Sequence, residues 1–174
     1  MIFKDISNFN NINDYLPILN GCINADLIIL FLLFHNVFSS KYLKKWYKEF
    51  NLSACIADVL ILFIGIIIAR FFYGYIFDKF NIVYFTLLAL GIQITHDICF
   101  YLLFKNTHIG YNFMLDFFKL YAKEVGVNAI LGDSFMMIIA CLLSSYMATL
   151  NMNMNIITLV ISCYFIPYMI YYEK

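Results

Sequence analysis

The sequence predicts an all-α, polytopic transmembrane helical bundle of five spans, on three observations. Apolar residues make up 64% of the 174 residues and charged residues only 13%, a balance far from that of a soluble domain of this length. The apolar residues gather into five windows, each near the ~20 residues needed to cross a hydrocarbon core. What remains is short loops, so the chain reads as one transmembrane domain covering residues 1–174.

Met1 to Asn13 is polar and Asn-rich, unlike the basic start and apolar core of a cleavable signal peptide, so insertion is expected to rely on the spans themselves. The first span runs from Leu16 to Phe38, with Asn20 and Asn24 near its start, Asp26 turned elsewhere, and His35 near its end. The loop after it holds Lys41, Lys44, Lys45 and Lys48 with Trp46 and Tyr47, the Lys-plus-aromatic character of an interface anchor. The second span, Leu52 to Tyr73, places Asp58 on the face of Ala54, Gly65 and Ala69. Phe80 to Phe104 forms the third, where Thr86, Gln93 and Asp97 fall at i, i+7 and i+11 with His96 on the flank.

Between the third and fourth spans, Met114, Phe117, Phe118, Tyr121 and Val125 recur at helical spacing, with Asp116, Lys119, Lys123 and Glu124 on the other side. This predicts an amphipathic helix over residues 112–125, begun by Asn112, ended by Gly126 and lying in the headgroup layer. The fourth span, Val127 to Leu150, carries Asp133 on the face of Ala140, Ser144 and Ala148, a small-residue series suited to close helix approach. The fifth, Ile156 to Tyr172, is the shortest and contains Pro167, so four spans plus a re-entrant segment is the alternative topology.

Orientation follows from the basic residues. With the N-terminus outside or lumenal, the cytoplasmic side collects Lys41, Lys44, Lys45, Lys48, Lys105, Lys119, Lys123 and Lys174, against Lys4, Arg70 and Lys79 outside. The sequon Asn51-Leu52-Ser53 is then cytoplasmic and is expected to stay unmodified. The lipid-interface residues are Lys41, Lys44, Lys45, Trp46, Lys48, Lys119 and Lys123. Net charge is zero with no charged tail, which points away from nucleic acid as a partner.

Asp58, Asp97 and Asp133 each lie six or seven residues from the cytoplasmic end of a different span, and His35 and His96 fall near the same depth. A carboxylate at a helix centre costs roughly 3 kcal/mol on insertion scales, so these five are the candidate proton- or ion-site residues. Three chemistries remain open. The acids and imidazoles are adequate donors for a divalent ion, although no metal-ligand spacing such as H-x-x-x-H occurs and the metal is unassigned. Without metal, one or more acids would hold a proton at neutral pH, which suits a proton-coupled transporter. Alternatively the acids tie helices together by hydrogen bonds.

Enzyme classes find little support. The five cysteines fall one per span with no C-x-x-C pair, Ser144 and Ser145 lie far from any histidine, and no phosphate loop or dinucleotide turn occurs. No catalytic residue and no cofactor is assigned.

The stretches HDICFYLLF from His96, YAKEVGVNAILGDSFMM from Tyr121 and ADVLILFIGIIIARFFY from Ala57 resemble small multi-pass membrane proteins of nucleocytoplasmic large DNA viruses, especially algal giant viruses. The resemblance implies residence in the virion inner membrane or in host membrane recruited for assembly, and carries over no functional residue. The expected function is therefore a non-enzymatic, structural or scaffolding membrane protein. The alternative is a small proton- or cation-coupled transporter or channel subunit using the acidic cluster. The bilayer is the expected partner, with a homo-oligomer or a membrane or capsid assembly left open.

Overall fold

Five of the helices are long and apolar enough to cross a membrane: α1 (Tyr15–Phe34, entered through a 3-10 turn at Ile12–Asp14), α3 (Leu52–Ile76), α4 (Ile82–Asn106), α6 (Asn128–Met147) and α7 (Met152–Ile170). Two short ones, α2 (Lys41–Phe50) and α5 (Phe113–Val125), complete an all-α bundle without strands among the described residues. The computed structural model describes residues 2–37 and 40–172. The predicted end of the first span at Phe38, and Lys174, lie outside them.

Asparagine side chains cap the starts of α4, α5 and α7. Asn81 accepts from the Val83 and Tyr84 amides, Asn112 from Met114 and Leu115, and Asn151 from Met154, each satisfying amides that have no intrahelical partner. The amphipathic helix thus begins at the expected cap and ends at Gly126, whose φ of +56° suits glycine. The fifth span is one continuous helix through Pro167, so the re-entrant alternative falls away. Helix α3 runs on past the expected end of the second span at Tyr73, to Ile76. There the Tyr73 hydroxyl takes the Asn81 amide at 2.8 Å and donates to the Lys79 carbonyl at 3.1 Å, fixing the turn into α4.

Helices α1, α3, α4 and α6 form a ring in which α1 touches α3 and α6, and α4 closes the circuit against those two; α7 packs outside on α1. Burial ranks them: 61% of the span containing α1 is buried against 17% of α4, so α1 is the axis and α4 faces outward. The close approach that permits this is at Gly21, where an added Cβ would lie 2.5 Å from the Ser144 backbone nitrogen. Ser144 in turn donates to the Ile18 carbonyl at 3.3 Å. Ala140, Ser144 and Ala148 are all buried, so the small-residue face read from α6 is the face that meets α1.

Outward, α3, α4 and α7 expose a belt including Leu60, Ile64, Leu87, Ile98, Val160 and Phe165. That continuous apolar surface fits lipid and would be a liability in water. Cys99 and Cys163 are exposed on it, whereas Cys22, Cys55 and Cys141 are buried.

Helices α2 and α5 lie side by side across one end of the ring, α2 touching α1 and α3, and α5 touching α4 and α6. Aromatic rings bind them: Trp46 stands 5.7 Å from Phe117 and 4.9 Å from Phe118, and Phe50 stands 5.3 Å from Phe117. The Glu124 carboxylate of α5 accepts the Lys41 and Tyr42 amides, each at 3.2 Å, and so caps the start of α2.

Gly21→Ala should loosen the α1–α6 contact, because the new methyl meets backbone that no rotamer change can move. The expected loss is about 1–3 kcal/mol, read as a lower melting temperature in detergent micelles, with Gly91→Ala, where nothing lies within 4 Å, as the neutral control.

Candidate functional site

Each of the four ring helices contributes one aspartate to the half of the bundle that α2 and α5 cover: Asp26 from α1, Asp58 from α3, Asp97 from α4 and Asp133 from α6. At a rise of 1.5 Å per residue these lie roughly 8–14 Å from the covered ends of their helices. Asp133 interacts electrostatically with Asp97 and Asp58, and Asp26 with Asp58, so the carboxylates form one connected layer. Among the described residues no lysine or arginine ion-pairs with any of them.

The donors come from α2. Its Tyr47, fully buried, donates from Oη to Asp26 Oδ1 at 2.8 Å, and Trp46 donates from Nε1 to Asp58 Oδ2 at 3.0 Å. Asn51, at φ +48°, turns the chain between α2 and α3 and lets these two residues reach back under the ring. Burial, with Asp26 and Asp58 nearby, holds the Tyr47 hydroxyl well above the ordinary tyrosine value. On α5, burial and then the proximity of Asp133 raise Tyr121 in the same direction.

Asp97 is held within its own helix: Gln93 Nε2 donates to Oδ1 at 2.8 Å and His96 Nδ1 lies 3.3 Å from the same atom. Its Oδ2, together with Gln93 Oε1, Thr86 Oγ1 and Asp26 Oδ2, is buried without a hydrogen-bond partner among the described residues. The predicted polar stripe of α4 therefore faces the ring interior. Gly65 sits opposite, its missing Cβ position 3.9 Å from Gln93 Oε1.

Several expectations are corrected. Asp26, read as turned elsewhere, is completely buried and belongs to the layer. His35 does not: its Nδ1 faces its own Phe31 carbonyl at 2.9 Å and its exposed ring stacks on Phe31 and Tyr172, because α1 ends there. His96 stays on the flank, stacked on Phe100. Trp46 is no lipid anchor; it is 3% exposed and spends its indole N–H on Asp58. Among the described residues no group of three or more His, Cys, Asp or Glu side chains converges to hold a metal ion, which removes the donor set of the divalent-ion reading.

A second polar centre closes the opposite end. Arg70 is 1% exposed; it lies 3.6 Å from Asp14 Oδ2, donates to the Asn8 carbonyl and, at 2.9 Å, to that of Asn11, and stands 4.7 Å from the Tyr15 ring. The N-terminal segment it holds runs across the bundle mouth, with Ile6 buried and Lys4 exchanging bonds with Ser145: amide to carbonyl at 3.2 Å, and hydroxyl to carbonyl at 2.6 Å. Sequence reasoning counted Arg70 only as an outside charge. An arginine within an apolar span needs a partner, and that signal pointed to Asp14.

Tyr47→Phe should cost about 1–3 kcal/mol by stripping a donor from a buried carboxylate. Since the fold holds the Tyr47 proton more tightly than an unfolded chain does, stability is intact below the ordinary tyrosine value of 10.0 and falls as pH rises above it. Phenolate absorbance during alkaline titration should show Tyr47 ionising only with unfolding. Arg70→Met, which leaves buried Asp14 with only Asn11 Nδ2 at 2.8 Å and Lys4 Nζ at 3.9 Å, should cost about 3 kcal/mol, the low end for breaking a buried pair, and expose residues 2–14 to protease, with Asp14→Asn added to it restoring part of the loss.

No family model, curated protein or solved structure matches this chain.

Proposed function

We propose that this chain is a non-enzymatic integral membrane protein with a structural or scaffolding role, in a viral or virus-modified membrane as its sequence resemblance implies. The observation that carries the scaffold reading is the use made of Asp26 and Asp58. Both are hydrogen-bonded to α2, so buried acids serve as ties between elements. The orientation proposed is N-terminus outside or lumenal. Lys41, Lys44, Lys45, Lys48, Lys105, Lys119 and Lys123 all belong to the end bearing α2 and α5, while Lys4 and Lys79 are at the other and Arg70 is buried against Asp14. The basic end then meets anionic lipid or assembly partners on the cytoplasmic side.

A second reading, a proton- or cation-coupled carrier, is favoured by one observation. Asp133 lies within electrostatic range of Asp97, whose Oδ2 is buried without a hydrogen-bond partner among the described residues, and two acids so placed inside a membrane suit a proton-binding site.

Asp58→Asn, Asp97→Asn and Asp133→Asn separate the two. A scaffold keeps its hydrogen bonds, so each variant should lose less than about 1 kcal/mol, and wild-type proteoliposomes should dissipate a pH gradient no faster than empty liposomes. Flux in the wild type that Asp97→Asn abolishes with folding intact replaces the scaffold with the carrier.

A further inference from the structure

The groove between the end of α4 and α5 has a volume of about 460 Å³, and its lining includes Tyr101, Phe104, Lys105, Asp116, Lys119 and Lys123. Its charges are unequal in kind. Asp116 is matched: Lys119 Nζ lies 3.1 Å from Oδ1 and also donates to the Thr107 carbonyl at 2.7 Å, while the Gly110 amide donates to Oδ2 at 2.7 Å. These bonds hold the Asp116 carboxyl below the ordinary value and keep it ionised, Gly110 being the larger cause. Lys105 and Lys123 have no acidic partner among the described residues; Lys105 lies 5.5 Å over the Tyr101 ring. The groove therefore carries two free positive charges.

Its walls are otherwise apolar, and the face of α4 that bears Tyr101 and Lys105 carries exposed Ile98 and Ile94 one and two turns further along the helix, at i, i+4, i+7 and i+11. An occupant must be anionic where it meets Lys105 and Lys123 and long and apolar where it follows α4. We infer that this groove binds an anionic phospholipid, its phosphate between Lys105 and Lys123 and an acyl chain along α4. An acidic protein segment matches the lysines but leaves the apolar strip of α4 uncovered. The inference rests on the membrane residence proposed above and names the lipid class recognised at its basic end.

Full-length protein, purified in detergent with equimolar phosphatidylglycerol and phosphatidylcholine, would be examined by native mass spectrometry for retained lipid. Phosphatidylglycerol should be retained preferentially, and Lys105→Gln with Lys123→Gln should reduce that at least about fivefold. Lys4→Gln with Lys79→Gln, which removes two exposed lysines at the opposite end of the bundle, should leave it unchanged. Lys105→Arg with Lys123→Arg, keeping the charge, should restore retention and show that the fold tolerates substitution there. Equal loss in both glutamine pairs, no preference between the two lipids, displacement by excess inorganic phosphate, or failure of the arginine pair to restore retention would each overturn the proposal. Recovery of the protein in the soluble fraction after an alkaline wash of cell membranes would instead overturn membrane residence, and this site with it.

Discussion

The hydrogen bond from Tyr47 to Asp26 sets the layout of the basic end. Asp26 lies on the most buried helix, fully shielded from solvent and, among the described residues, paired with no cation, so its donor must come from protein. The chain supplies one from a short amphipathic helix that begins only seven residues after α1 ends. Once Tyr47 is drawn under the ring, Trp46 beside it arrives at Asp58, and the remaining face of α2 turns its lysines outward. Helix α5 then has a fixed surface to dock on, made of Trp46 and Phe50, and Glu124 completes the seam.

The five long helices and the amphipathic one were legible because each rests on a periodicity or a length that bilayer and helix geometry impose directly. The short helix α2 was read as a loop, since ten residues with four lysines fall below any span threshold. Its burial is set by partners that are distant in sequence. The acidic layer was legible from depth for three of its members. Asp26 was missed because the reading set the first span's own polar residues against one another and treated His35 as its contribution. The backbone decides otherwise: α1 stops at Phe34, and His35, one residue on, points back along the helix end.

The two polar centres solve one problem in different ways. At the basic end, three of the four acids are matched by neutral donors, Asp26 by Tyr47, Asp58 by Trp46 and Asp97 by Gln93, and several acceptor atoms are left over. At the other end a single arginine is matched by a carboxylate and two backbone carbonyls. Ion pairing gives a strong local lock whose loss strands a charge. Neutral donors give ties that survive exchange of acid for amide, which is why substitutions at the two ends are expected to differ so much in cost.

The contact between Lys4 and Ser145 joins residues 141 positions apart. Its consequence concerns order in time. A chain made from its N-terminus inserts α1, α3 and α4 before Ser145 exists, so Arg70 of α3 can engage the Asn8 and Asn11 carbonyls early while Lys4 must wait for α6. Loop closure over such a separation is entropically costly until the intervening helices hold the ends together. The stretch around Lys4 thus settles late, and its docking on Ser145 reports that α6 has joined the bundle.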